Sequence, residues 1–416
     1  MAGATFKCII DFSNGATFDP ALVLDDPTTP LDTAVLGTAA ADTLDVTQYV
    51  ISARIRRSYN RTSDSFLGGS AQVRLIDQTG LFNPANTSGA NYGKILPMRK
   101  IRFAGTYLGV EYALGSMYIQ EWKYTSPVGL TPAFVDLNCV DGFQLLNLTT
   151  VSTVSGGTAG QTTAQRITSL LDAGDWPAMR SISTTATTTV QADDGTSRSL
   201  LGGCQTVEQT ELGAFYMDER GFANFKSRND IISASGGTPY IFSDVASTSA
   251  ITYQAINFDL SDAGLINRAT VTRSGGTAQT ATDSASILAY FEHSRNRTGI
   301  MQSDSDALSQ AQLIIASRKE IGTDINLQSI TVNLASDDQP SRVVAGLDMD
   351  IFTPITATQT LPSGAVTVNS VVTGVGYDIS PNNFTATFTT AQPFAVGFVL
   401  DSSVDGLLDQ DVLSYT

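Results

Sequence analysis

The chain has 416 residues and a formal charge of −16, from 40 acidic and 24 basic side chains, with a single histidine. A length of this order holds two to four domains. The acidity excludes the positive footprint of a nucleic-acid-binding surface, and one histidine excludes multi-His zinc sites and the His-Glu-x-x-His proteases. Charged residues are only 15 % of the chain, with Thr, Ser, Asn, Gln and Gly in their place, so the expected surface is polar but poor in charge.

Residues 1–150 read as a β-barrel- or sandwich-like domain. Met1–Ile10 carries one Lys and no apolar stretch of a secretory leader. Residues 20–45, rich in Pro, Thr, Asp and Ala, read as a long loop or arm. Arg54 and Arg56 fall on one face of a strand and Arg57 on the other. With Arg61 they form the basic patch of the chain, read first as a solvated strand surface and second as a contact for an acidic partner. Ala71, Val73 and Leu75 alternate with Gln72 and Arg74, the period of a strand with one buried face. Residues 117–124 and Val135-Leu137-Cys139 repeat that pattern, and Asp141 is placed to cap a short helix carrying Phe143, Leu145 and Leu146.

Residues 151–250 read as a mixed α+β domain. Thr162 or Thr163 caps a helix with Ile167, Leu170 and Leu171 on one face, stopped by Gly174 and Pro177. A second helix spans 199–212 with Leu200, Leu201, Cys204 and Val207 inward, although Gly202 and Gly203 each cost about 1 kcal/mol against Ala. Residues 214–217 and 222–225 form a hairpin around Asp218–Gly221.

Residues 251–395 return to strands, as a second β domain. Ala269, Val271 and Arg273 precede a Ser274-Gly275-Gly276 turn. Asp283 caps a short helix through Ile287, Leu288 and Phe291. A longer helix over 304–320 has Ala307, Leu308, Ala311, Ile314 and Ile315 on its apolar face, and Gly322 ends it. Strands near 330–334, 366–372 and 384–388 complete the domain, and 396–416 is an acidic tail. The sequence shows no internal repeat and no heptads. No apolar run reaches the roughly 18 residues that span a bilayer.

Candidate chemistry is sparse. His293 reads as a helix-end or surface residue. Cys8, Cys139 and Cys204 are too far apart for a disulfide framework or a zinc site and read as buried packing residues. Asp193-Asp194-Gly195 reads as a turn, Asp304 and Asp306 as helix N-terminal charges, and Asp348-Met349-Asp350 lacks calcium-loop spacing. A carboxylate-based cell-wall hydrolase stays open, because a glycosidase needs only two carboxylates. No catalytic, cofactor or metal residue is assigned.

One set of motifs, in order, goes further. The stretch 60–86 carries Ala71-x-Val73-x-Leu75, a polar turn at Asp77–Gly80, and Phe82-Asn-Pro84. Leu96-Pro97-Met98-Arg99-Lys100-Ile101-Arg102, Gly115 to Trp122, Cys139-Val-Asp141-Gly-Phe, Glu211 to Phe225, Ile266 to Gly276 and Phe398 to Asp409 follow. Together they resemble the minor tail and tail-tip hub proteins of siphophages, over about 48–411. The resemblance implies a β-rich α+β fold with two β-barrel-like domains and smaller mixed α/β domains. It also implies a non-enzymatic homotrimeric ring that meets the distal tail protein, the tape-measure protein and fibres or a spike, and passes DNA in transit. Such a protein assembles in the host cytoplasm into the virion tail tip, with no cofactor and no stable membrane insertion. Family members often extend into a hydrolase or receptor-binding region, which a chain ending at 416 is expected to lack. A distal tail protein or a receptor-binding adhesin is the alternative, distinguished by a six-fold ring. Residues 1–125 carry 11 basic and 11 acidic side chains, so the whole charge excess lies in 126–416. It is expected either to line the ring's channel or simply to keep the surface soluble.

Overall fold

The computed structural model describes residues 3–13, 15–16, 18, 42–60, 65–126, 132–176, 179–259, 262, 264–319 and 326–392. The 20–45 arm up to residue 41, Arg61, Pro177, Gly322 and the 396–416 tail lie outside these residues.

The first part of the chain is built from β1 (Thr5–Asp11), β2 (Thr43–Asp45), β3 (Val50–Asn60), the short β4 (Ser65–Phe66), β5 (Ser70–Asp77), β6 (Arg99–Tyr107), β7 (Val110–Thr125) and β8 (Ala133–Val140). Alternation decides the faces. Along β5, Ala71, Val73 and Leu75 are buried and Gln72 and Arg74 exposed; Val135, Leu137 and Cys139 of β8 are buried opposite them. The strand order is β2-β1-β6-β7-β8-β5-β3. β2 and β3 are halves of one continuous segment broken by a single 3-10 turn, Thr47–Tyr49. Its start pairs with β1 and its remainder with β5, so the order returns to itself as a six-membered barrel.

The middle of the chain carries α1 (Gly142–Leu148), β9 (Thr150–Val151), α2 (Thr163–Ala173), β10 (Arg180–Ile182), β11 (Arg198–Ser199), α3 (Leu200–Glu211), β12 (Ala214–Met217), β13 (Ala223–Lys226) and α4 (Arg228–Ser235). The caps read from the sequence at Asp141 and Thr162 are formed: the Asp141 side chain accepts from the Phe143 N–H, and Thr162 and Gln165 make a reciprocal capping box. Ser199, not named as a cap, also accepts from Gly202. Gly203 inside α3 has a packing reason: a Cβ there would sit 3.1 Å from Leu170 and 3.2 Å from Arg198. Helix α4 went unread, although Ser227 and Asp230 cap it reciprocally.

A second set of strands follows: β14 (Tyr240–Ser243), β15 (Ile251–Thr252), β16 (Ala255–Asp259), β20 (Asn326–Asn333), β21 (Pro354–Leu361), β22 (Gly364–Ser380) and β23 (Asn383–Ala391). An insert separates β16 from β20: β17 (Arg268–Arg273), β18 (Ala278–Thr282), α5 (Ser284–Tyr290), β19 (Ser294–Gly299) and α6 (Asp304–Arg318). Helix α7 (Pro340–Asp348) joins β20 to β21. In the insert, Ala269 and Val271 pack against Ala307, Ala311, Ile314 and Ile315. Leu308 does not belong to that face, contrary to expectation. It is exposed, and the buried stripe takes Gln310 instead, whose amide donates to the Gln209 and Thr210 carbonyls.

This second set repeats the first. β15 and β16 lie on one continuous segment; β15 pairs with β14 and β16 with β20. The order β15-β14-β21-β22-β23-β20-β16 therefore closes as the first barrel does. Numbered by chain position, both barrels run second, first, fourth, fifth, sixth, third. They differ in their first strand: β1 is antiparallel to its neighbours β2 and β6, whereas β14 is parallel to β15 and β21. The sequence, with no detectable repeat, gave no sign of this.

Candidate functional site

The barrels meet at a seam where β3 of the first pairs with β22 of the second, antiparallel, from Ser58 opposite Gly374 to Ala53 opposite Ile379. β22 is long enough to pair with β21 over 364–371 and then, along the same edge, with β3 over 374–379, while β23 runs along its other side. One sheet thus spans both barrels.

The arginines read from the sequence lie on this seam. Arg54 and Arg56 are on its open face, each 2.6 Å from an oxygen of Asp378. Gly376 makes room for this: a Cβ there would fall 2.1 Å from the Arg56 guanidinium. Arg57 projects to the opposite face, where it is buried, with Asp350 at 2.9 Å and Glu219 at 3.7 Å. The solvated-strand reading is therefore corrected for Arg57 alone, whose partners Asp350 and Glu219 come from loops more than a hundred residues away; Arg54 and Arg56 stay on an exposed strand surface, where both pair with Asp378 of β22. Asp350 follows α7 and Glu219 sits in the turn between β12 and β13, so one guanidinium ties together the first barrel, the helical unit and the second barrel. Around it Phe66, Tyr216 and Phe352 pack ring to ring, with centroids 5.0–6.1 Å apart.

Burial opposes the Arg57 charge, but Asp350 and Glu219 outweigh it and hold the guanidinium protonated. Burial, reinforced by Asp350 and Asp218, pushes the Glu219 carboxyl up to about 7. The Asp141 carboxyl is pushed up to about 7 by burial, against donation from the Gly69 and Phe143 N–H groups. Burial also raises Glu208 to about 8 and raises Glu211. Nothing in the sequence marks Glu208, since a glutamate at that helix position is ordinary until α3 is seen to be covered on that side.

The remaining singled-out residues have local partners. Asp193 accepts from Gly195 in the expected turn, but it is also buried against Arg198 and Arg166. Asp304 pairs with Arg273 at 2.6 Å, and Asp306 closes the capping box with Ser303. Asp348 accepts from the Tyr240 hydroxyl, away from the Asp350–Arg57 pair. The His293 ring lies 3.1 Å from the Tyr290 carbonyl at the end of α5. Cys8, Cys139 and Cys204 are buried and unbridged. Among the described residues no cluster of three His, Cys, Asp or Glu side chains could hold a metal ion.

Two surface grooves bear on catalysis. One of about 570 Å³, beside Gly160, Gln161, Gln165 and Ser169, has no ionisable side chain in its lining. The other, of about 330 Å³, lies on the seam beside Arg54, Gln72, Asp378 and Asn383, and its carboxylate is already paired with two arginines. Neither groove presents the two free carboxylates of a glycosidase. The raised carboxyls Asp141, Glu208 and Glu211 line neither of them.

No family model matches the sequence, and no curated protein matches it. Solved structures do. The tail protein from Neisseria meningitidis MC58 superposes with a TM-score of 0.57 at 9 % identity, covering 94 % of this chain and 96 % of that one. The 43 kDa tail protein of prophage MuSo2 from Shewanella oneidensis gives 0.54 at 12 % identity, covering 85 % and 94 %. The chain thus has a β-rich α+β fold with two barrels and smaller mixed units. That fold is the fold of phage tail proteins, the one its own motifs led us to expect.

Proposed function

We propose that the chain is a non-enzymatic structural component of a phage tail, and that three copies form the hub ring at the tail tip. The observation that carries this reading is the tandem of barrels with one strand order, joined by a shared sheet. Three such chains present six equivalent barrels, the number that lets a three-fold ring sit under a six-fold one. Six copies of a two-barrel chain would present twelve. In this reading the distal tail protein lies above the ring, the tape-measure protein reaches it from within, fibres or a spike hang below, and DNA crosses it at ejection. The motif resemblance favours a non-contractile tail. We take the division into 1–150, 151–250, 251–395 and the 396–416 tail as the working domain boundaries, with the second boundary moved to just before Tyr240, because β14 belongs to the second barrel.

The open face of the shared sheet is our candidate for the channel wall. One transverse row crosses seven strands: Asn333, Thr385, Asp378, Arg54, Gln72, Asn138 and Glu121. The next holds Ser52, Arg74, Asp136 and Lys123. Acids and bases balance across these rows, and Arg74 lies 2.6 Å from Asp136. A hydroxyl- and amide-rich wall with paired charges offers few free cations to phosphates. It also departs from the acidic lining expected from the charge distribution, so the acidic excess is better explained by solubility. The reading is tested by labelling the chain in purified tails and counting copies. Three copies at the tip support it; six copies, or label along the shaft, overturn it.

A further inference from the structure

The internal seam predicts an external one. Aligning the two barrels through their equivalent pairings superposes Gly374 on Glu121: each follows a one-residue bulge, and they pair with Thr389 and Asn138. Those partners pair in turn with Ser329 and Gln72, and these with Asn257 and Arg54. In this frame β22 corresponds to β7, and β3 to β16. The stretch of β22 that receives β3 corresponds to Glu121–Thr125 of β7. There β8 occupies one edge, while β6 ends its pairing at Ile119. Among the described residues β16 likewise pairs only with β20. Among those residues each barrel end therefore carries an unpaired edge matching one side of the internal seam.

Burial supports the correspondence independently. At the internal seam Val375, Tyr377, Ala53 and Ile55 are buried. Their counterparts Trp122, Tyr124, Ile256 and Phe258 pack on the core from one side and remain only half-buried. Apolar side chains along an open strand edge are what a protein hides against another strand.

We infer that β16 of one copy pairs antiparallel with the 121–125 stretch of β7 of the next copy, in the register of the internal seam. Asn257 then lies opposite Thr125, and Phe258 opposite Tyr124. The charged contact of the internal seam, Arg54 with Asp378, becomes an uncharged amide–hydroxyl contact between copies. The contact is head-to-tail, so each copy uses both edges and the chain of copies can close into a ring. The pairing rests on the ring reading, but the register is a separate claim.

The test is cross-linking in assembled tails bearing Asn257→Cys with Thr125→Cys, beside a control bearing Asn257→Cys with Lys123→Cys. Both acceptor positions are exposed on the same face, and the native cysteines are buried. Directly opposed residues have Cβ atoms roughly 4.5–5.5 Å apart and diagonal ones roughly 7–8 Å, so only the first pair is close to disulfide reach. Oxidation should give covalent multimers of up to three chains with Thr125→Cys and few with Lys123→Cys. A strong Lys123 cross-link with a weak Thr125 one, or single chains only from both, overturns the register. Copy number, measured on the same tails without oxidation, reports on the ring reading by itself.

Discussion

Replacing Glu208 by Gln should flatten a specific part of the pH dependence of stability. Glu208 lies in α3 at 1 % exposure; one of its oxygens accepts from the Phe215 N–H at 2.9 Å, and the carboxyl is otherwise supported only by the Phe66 backbone N–H among the described residues. Burial raises its carboxyl to about 8 from an ordinary value of 4.5. The folded chain therefore holds this proton to higher pH than the unfolded chain does. Its contribution is complete below about pH 4.5 and is lost as the pH rises through about 8. At roughly 1.4 kcal/mol per pH unit of difference, the loss between pH 5 and pH 9 is about 4 kcal/mol. Glutamine keeps the acceptor for Phe215 and cannot ionise. Urea unfolding of both proteins across this range, read as the variant minus the parent, cancels the other titrating groups. The difference should move by about 4 kcal/mol in favour of E208Q as the pH rises. Parallel curves for the two proteins would refute the claim that Glu208 is buried and protonated at neutral pH.

Two further outcomes follow from the same geometry. Arg57→Leu leaves Asp350 and Glu219 facing each other without a cation, and should cost about 3 kcal/mol in denaturant unfolding at pH 8. Arg54→Leu, in a pair open to water, should cost less than about 1 kcal/mol; equal costs would show that the three-way junction is not held by Arg57. Incubation with host cell wall should leave zymograms without clearing, and clearing lost with a single Asp or Glu substitution would reinstate a hydrolase.

Much of the local structure was legible because its causes are local. Strands such as β5 and β8 declare themselves by alternation, α1 and α2 by a capping side chain next to an apolar face, and α3 and α6 by the apolar face itself. Helix α7 is harder to read, although Pro340 opens it, because the Asp348-Met349-Asp350 sequence at its end resembles the edge of an ion site more than a helix stop. The seam could not be read at all. It pairs residues 53–58 with residues 374–379, and nothing local sets that register. The partners of Arg57 were hidden for the same reason, and the alternation that put it opposite Arg54 and Arg56 fixed only its face. The barrel repeat resides in the order of pairing and leaves no trace in residue identity.

The central claim is that tandem barrels build a three-fold hub. A density map of the intact tail tip tests it most directly. The account predicts one ring of six barrels supplied by three chains, with β16 of each copy running beside β7 of the next. A ring of six chains, or three chains whose β7 and β16 edges face solvent, would contradict it.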